Sequence, residues 1–145
     1  MDQRPDERPT GGYSFEDLLN TNPNILTIID PVTYRVHFQN RTGNGKIGNI
    51  CGEVCHRKIV QLEAPCPFCN MSKAVSTGTM QTSEVELPDG TWVMIQFSPI
   101  RHQSGATHVA ETIVDITEQK HREQELVRLT GTLAGQVRKL TDGAP

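Results

Sequence analysis

All four cysteines of this 145-residue chain fall between Cys51 and Cys69, in the stretch CGEVCHRKIVQLEAPCPFC. They form two pairs, Cys51/Cys55 and Cys66/Cys69, spaced C-x3-C-x10-C-x2-C. Thiolates are soft ligands, and four converging on one point suit zinc or an iron–sulfur cluster. The two-residue gap in Cys66-Pro67-Phe68-Cys69 lets both sulfurs approach one metal from a single turn, and Pro67 pre-sets φ for it. Cys51 and Cys55 are four apart, so on a helix they would share a face. The spacing therefore points to a metal site of Cys51, Cys55, Cys66 and Cys69, with His56 as a substitute ligand. Two other readings stay open: buried cysteines acting as small hydrophobes, and a metal-free thiol switch.

A structural disulfide framework fits the context poorly. The opening MDQRPDERPT has no apolar h-region, so no signal peptide is expected. No run approaches the roughly 18 apolar residues of a membrane span. A cytoplasmic protein is expected, where stable disulfides are rare. Net charge is −3 with a pI near 5.9, and no basic patch interleaves with aromatics. That argues against nucleic acid and leaves a protein partner, a second copy or a small ligand.

The charged, Pro- and Gly-containing residues 1–12 read as a disordered arm, 13–117 as the domain, 118–141 as a separate helix and 142–145 as a frayed tail. Ser14 with Asp17 resembles a capping box for a short helix over 15–19 that buries Phe15, Leu18 and Leu19. ILTIID at 25–30 is β-branched and reads as a strand. YRVHFQN at 34–40 alternates, with Tyr34, Val36 and Phe38 on one face, and the two strands make a hairpin. NRTGNGKIGN at 40–49 reads as a loop. Short helical pieces carry the cysteines, and a helix over 66–77 ends at Gly78. Three strands follow, over 81–87, 91–100 and 108–116, the first two joined by Pro88-Asp89-Gly90. From Thr117 the pattern turns helical, with a stripe of Leu126, Leu129, Leu133, Val137 and Leu140 on a charged helix. That stripe needs a partner helix or the chain's own sheet to cover it.

Strands on both sides of a helical insert imply an α+β domain with one antiparallel sheet. The order resembles a PAS domain: ILTIID and RVHFQN match that family's first two strands, and the PDG hairpin its central one. Asp115-Ile116-Thr117 is the DIT that commonly closes such sensor domains, and EQKHREQEL is similar to the helix that follows. The resemblance implies a five-stranded antiparallel sheet, helices on one face, and a C-terminal amphipathic helix. Gly52-Glu53-Val54-Cys55-His56 and Pro65-Cys66-Pro67-Phe68-Cys69 match a cysteine-bearing subset similar to iron–sulfur PAS domains of oxygen-sensing histidine kinases. It implies Cys55, Cys66 and Cys69 as ligands with Cys51 fourth, or His56 in its place.

The function this implies is oxygen or redox sensing through an iron–sulfur cluster, [4Fe-4S] by analogy. The output passes through the terminal helix to a second copy, a histidine kinase or another signalling partner. The alternative is a structural zinc site in a dimerisation or ligand-binding module. Haem is disfavoured, because no histidine falls inside CPFCNMSKAVST. His37 alternates to the polar face of its strand, and His102 by a turn and His121 on the charged helix read as solvated. No Gly-rich phosphate loop or nucleophile–base–acid set appears, so an enzyme is not expected.

Overall fold

β-branched and aromatic runs place five strands: β1 (Ile25–Ile29), β2 (Val36–Gln39), β3 (Gln81–Glu86), β4 (Trp92–Arg101) and β5 (Thr107–Asp115). They form one antiparallel sheet in the order β2-β1-β5-β4-β3. The helices are α1 (Phe15–Asn20), α2 (Arg41–Ile47), α3 (Cys55–Ile59), α4 (Met71–Thr77) and α5 (Thr117–Asp142). The computed structural model describes residues 11–142, so most of the expected arm and tail lie outside the described residues. None of the described helices is long and apolar enough to cross a membrane.

Register sets the inner face. Ile25 pairs with Ile113 and Ile113 with Ile95, while Ile29 pairs with Val109. Paired residues point the same way, so these side chains share a surface with Val36 and Phe97. Met71 and Ala74 of α4 and Cys55 of α3 pack onto it in one core. Phe97 is 1% exposed. Trimming such a ring to alanine costs about 3–5 kcal/mol.

Several local expectations change. Ser14 caps α1 as expected, its hydroxyl accepting from the Asp17 amide at 3.1 Å. Yet α1 buries nothing, and Phe15 and Leu18 are exposed. Phe15 meets Phe38 edge-on at 5.9 Å. Tyr34 precedes β2 and adopts a left-handed φ of 60°. Ile28 pairs with Phe38 and Ile29 with Val36, which leaves His37 as the extra residue of a β-bulge. The bulge puts Val36 on the inner face and Phe38 on the outer, so the two do not share a side.

Residues 41–47 form a helix where a loop was expected. Asn40 is fully buried and explains it. Its Oδ1 accepts from the Gly43 amide at 2.9 Å, capping α2, and from the Leu26 amide at 3.0 Å. Gly43 permits the close approach: a Cβ there would lie 2.8 Å from Gln39 Cγ. Residues 66–70 form a turn, and α4 begins only at Met71, ending at Gly78 in the left-handed region as expected.

Thr117 is the first residue of α5, and its hydroxyl accepts from the Trp92 amide at 3.0 Å. The Ile116 amide donates to the Trp92 carbonyl at 2.9 Å. Lys120 pairs with Glu84 of β3, and its Nζ sits 5.1 Å above the centre of the Trp92 ring. Beyond these ties the helix leaves the sheet. Leu126, Leu129, Leu133, Val137 and Leu140 are all exposed, so the stripe does not pack on the chain's own sheet.

Candidate metal centre

The two cysteine segments hang from opposite edges of the sheet. Near Cys55 the chain lies along β2: the Val36 amide donates to the Glu53 carbonyl, the Gly52 amide to Val36, and the Cys55 amide to Tyr34. The last bond measures 2.9 Å, and the left-handed Tyr34 backbone presents that carbonyl. At the far edge, the Cys66–Cys69 turn is closed by the Cys69 amide donating to the Cys66 carbonyl at 3.0 Å. Ser83 of β3 holds this turn, donating to the Phe68 carbonyl at 2.8 Å and accepting from Asn70 Nδ2 at 2.7 Å.

Between the two segments lies a cavity of about 190 Å³ over the inner face. Cys55, Cys66 and Cys69 line it together with Tyr34, His56 and Glu111. The rest of its lining is apolar and includes Phe68, Val85, Ile95 and Phe97. Cys51 is exposed and is not among the lining residues. It sits in the turn before α3, ahead of Gly52 at φ +83°, so it shares no helical face with Cys55. The structure thus brings three of the four cysteines to one cavity.

Burial pushes the Cys55 thiol up to about 12, with the Glu111 carboxylate adding to the shift. Burial also raises Cys66, helped by the Cys69 thiol, and raises Cys69. Without a cation these thiols stay protonated at neutral pH, because thiolates beside a carboxylate in an apolar pocket lack a counter-charge. A metal ion supplies that charge and inverts the balance. His56 is 6% exposed, and its Nδ1 has no hydrogen-bond partner. Its ring packs against Tyr34 at 5.2 Å. His56 lines the same cavity as the three thiols, and sulfur and imidazole donors are the types that a soft or borderline metal takes. Among the described residues, the trio of metal-binding side chains whose donor atoms all lie within 4.8 Å of one another is elsewhere, at Asp30, His37 and His108. The cysteine segments therefore have to close further to share one ion.

Sequence reasoning missed Glu111. It lies on the inner face between Val109 and Ile113, and burial raises its pKa to about 7. The signal was present in HVAETIVDI: an acid at an alternate position otherwise held by apolar residues.

No family model and no curated protein matches the chain. Solved structures do. An RNA-binding Light-Oxygen-Voltage receptor aligns with a TM-score of 0.60 at 21% identity, over 83% of this chain. The chain spans 36% of that receptor's length. The PAS domain of nitrogen regulation protein NR(II) from Vibrio parahaemolyticus aligns at 0.54 and 16% identity, over 69% of this chain and 97% of that one. A sensory box sensor histidine kinase from Vibrio cholerae aligns at 0.52 and 15% identity, over 68% and 86%. Together with the sheet order and the terminal helix, these likenesses show that the chain has the fold of a PAS domain.

Proposed function

We propose that the chain is a sensory module of a signalling protein that holds an iron–sulfur cluster in the inner cavity and responds to oxygen or redox state. One observation carries the reading: Cys55 and the Cys66–Cys69 turn, fastened to opposite sheet edges, open onto one cavity. The cavity's volume exceeds what a lone ion needs and suits a group of several atoms. Cys55, Cys66 and Cys69 are the ligands, with the fourth place falling to His56, or to Cys51 if its turn folds inward. A bound cluster supplies chemistry that oxygen or a change of redox state reverses.

The chain's own residues do the rest. Apolar side chains surround the sulfurs in the cavity lining. Closing on a shared centre draws the two segments together across the sheet, and releasing it lets them part. Ser83 ties the second segment to β3, and the next residue, Glu84, ties β3 to Lys120 at the start of α5. A shift of the turn thus has a short covalent and ionic route to the terminal helix. The exposed leucine stripe of α5 pairs with a second copy or with a kinase helix. The chain acts as a sensor and not as an enzyme, and works in the cytoplasm.

A second reading has its own support. The unpartnered His56 Nδ1 completes a Cys3His set, a usual composition for structural zinc. Metal analysis of anaerobically prepared protein separates the two: iron with visible absorption for the first, zinc without colour for the second.

A further inference from the structure

We infer that Asp30, His37 and His108 form a second metal site, for a divalent first-row transition ion, on the outer face of the sheet and independent of the cysteines. Their donor atoms all lie within 4.8 Å of one another. Ligands at about 2.0–2.1 Å around a tetrahedral ion sit about 3.3 Å apart, so small side-chain rotations close the gap. Two imidazoles and one carboxylate are a recurrent donor set for zinc and iron, leaving further coordination positions open.

Three strand segments place the donors. His108 lies on β5 opposite Ile100, on the outer face, and is 7% exposed. Burial and the nearby imidazoles of His37 and His102 hold it below its ordinary pKa, so its ring keeps a lone pair to offer. His37 is the extra residue of the β-bulge in β2, a device that re-aims a side chain. Its ring stands 4.7 Å from that of His108. Asp30 follows β1, and its Oδ1 accepts from the Val32 and Thr33 amides at 2.8 and 3.3 Å. Those bonds fix the carboxylate, while Oδ2 faces His37 Nε2 at 4.0 Å. His102 flanks the group, its ring 4.8 Å from His108. Its Nδ1 is engaged by Ser104, accepting from the amide at 3.1 Å and lying 2.8 Å from the hydroxyl, so this nitrogen is taken up within its own turn. Solvent reaches the trio at the exposed His37.

Zinc titrated into the 15N-labelled full chain, followed through the imidazole nitrogen resonances, tests this. The expected result is coordination shifts at His37 and His108, none at His121, and the same shifts in Cys66→Ser, which weakens only the cysteine centre. His37→Ala, His108→Ala and Asp30→Asn should each weaken zinc binding about tenfold or more, and His121→Ala should not. Unmoved His37 and His108 resonances, unchanged affinity in the three variants, or loss of the shifts in Cys66→Ser would each overturn it.

Discussion

Ser83 and Glu84 are adjacent on β3 and point to opposite faces of the sheet, one holding the Cys66–Cys69 turn and the other the start of α5. The two bonds have different weights. Ser83 Oγ is a donor to Phe68 and an acceptor for Asn70, both part-buried. The Lys120–Glu84 pair is partly exposed.

Ser83→Ala should therefore destabilise the metal-free protein by about 1–2 kcal/mol, since it removes the Ser83 donor from the Phe68 carbonyl and leaves Asn70 Nδ2 only its bond to the Thr82 carbonyl at 3.2 Å. Glu84→Gln should cost at most about 1 kcal/mol. It should nonetheless weaken the response of α5 to metal loss, read by spin labels along that helix. Chemical denaturation and label spectra check the pair. An equal α5 response in Glu84→Gln would remove this route.

Glu111 makes the metal-free fold sensitive to pH in a definite direction. Burial raises its pKa from 4.5 to about 7, so the folded state holds its proton more tightly than the unfolded chain does. Stability from this group is complete below about 4.5 and declines as pH rises through about 7. The loss across that window is on the order of 3 kcal/mol. Glu111→Gln should lack that decline, so the difference in stability between variant and wild type should grow from pH 5 to pH 8. A constant difference across this range would contradict the burial of an ionisable carboxyl.

The cysteines should separate by reactivity. Cys51 is exposed, whereas Cys55 is buried with its thiol pushed up to about 12. A thiol reagent should modify Cys51 first and Cys55 last, because the thiolate is the reactive form. Metal loading should protect Cys55, Cys66 and Cys69 and leave Cys51 open if His56 is the fourth ligand. Protection of Cys51 as well would restore it to the set. Mass spectrometry of peptides after timed labelling reads both outcomes.

Much of this fold was legible in the sequence because strand alternation is a local signal. Val93, Ile95 and Phe97 announce the inner face of β4 in their own spacing, and Gly78 announces the end of α4. Other features needed tertiary contacts. α2 forms over Gly43 and Gly45 because a buried Asn40 caps it and Gln39 packs against it, which no propensity shows. The His37 bulge flips the rest of β2 and is visible only in the pairing with β1. The candidate site was half legible: the CPFC turn follows from its spacing, but the exposure of Cys51 depends on the Gly52 turn and its strand-like contact with Val36. The meeting of His37 with His108 spans strands distant in sequence, so the local pattern around neither residue signals it.

The leucine stripe of α5 should govern association. Leu126, Leu129, Leu133, Val137 and Leu140 are exposed along one charged helix. Sedimentation of the full chain should show a dimer, and removal of residues 118–145 a monomer. A monomer in both forms would leave the stripe for a different protein.

The central claim is that the cavity between α3 and the Cys66–Cys69 turn holds a thiolate-bound iron–sulfur cluster. Iron and sulfide content with a visible spectrum, taken on strictly anaerobic protein, tests it most directly. The account predicts a brown protein with near-stoichiometric iron that bleaches in air and is lost in Cys66→Ser. A colourless anaerobic protein without iron would contradict it.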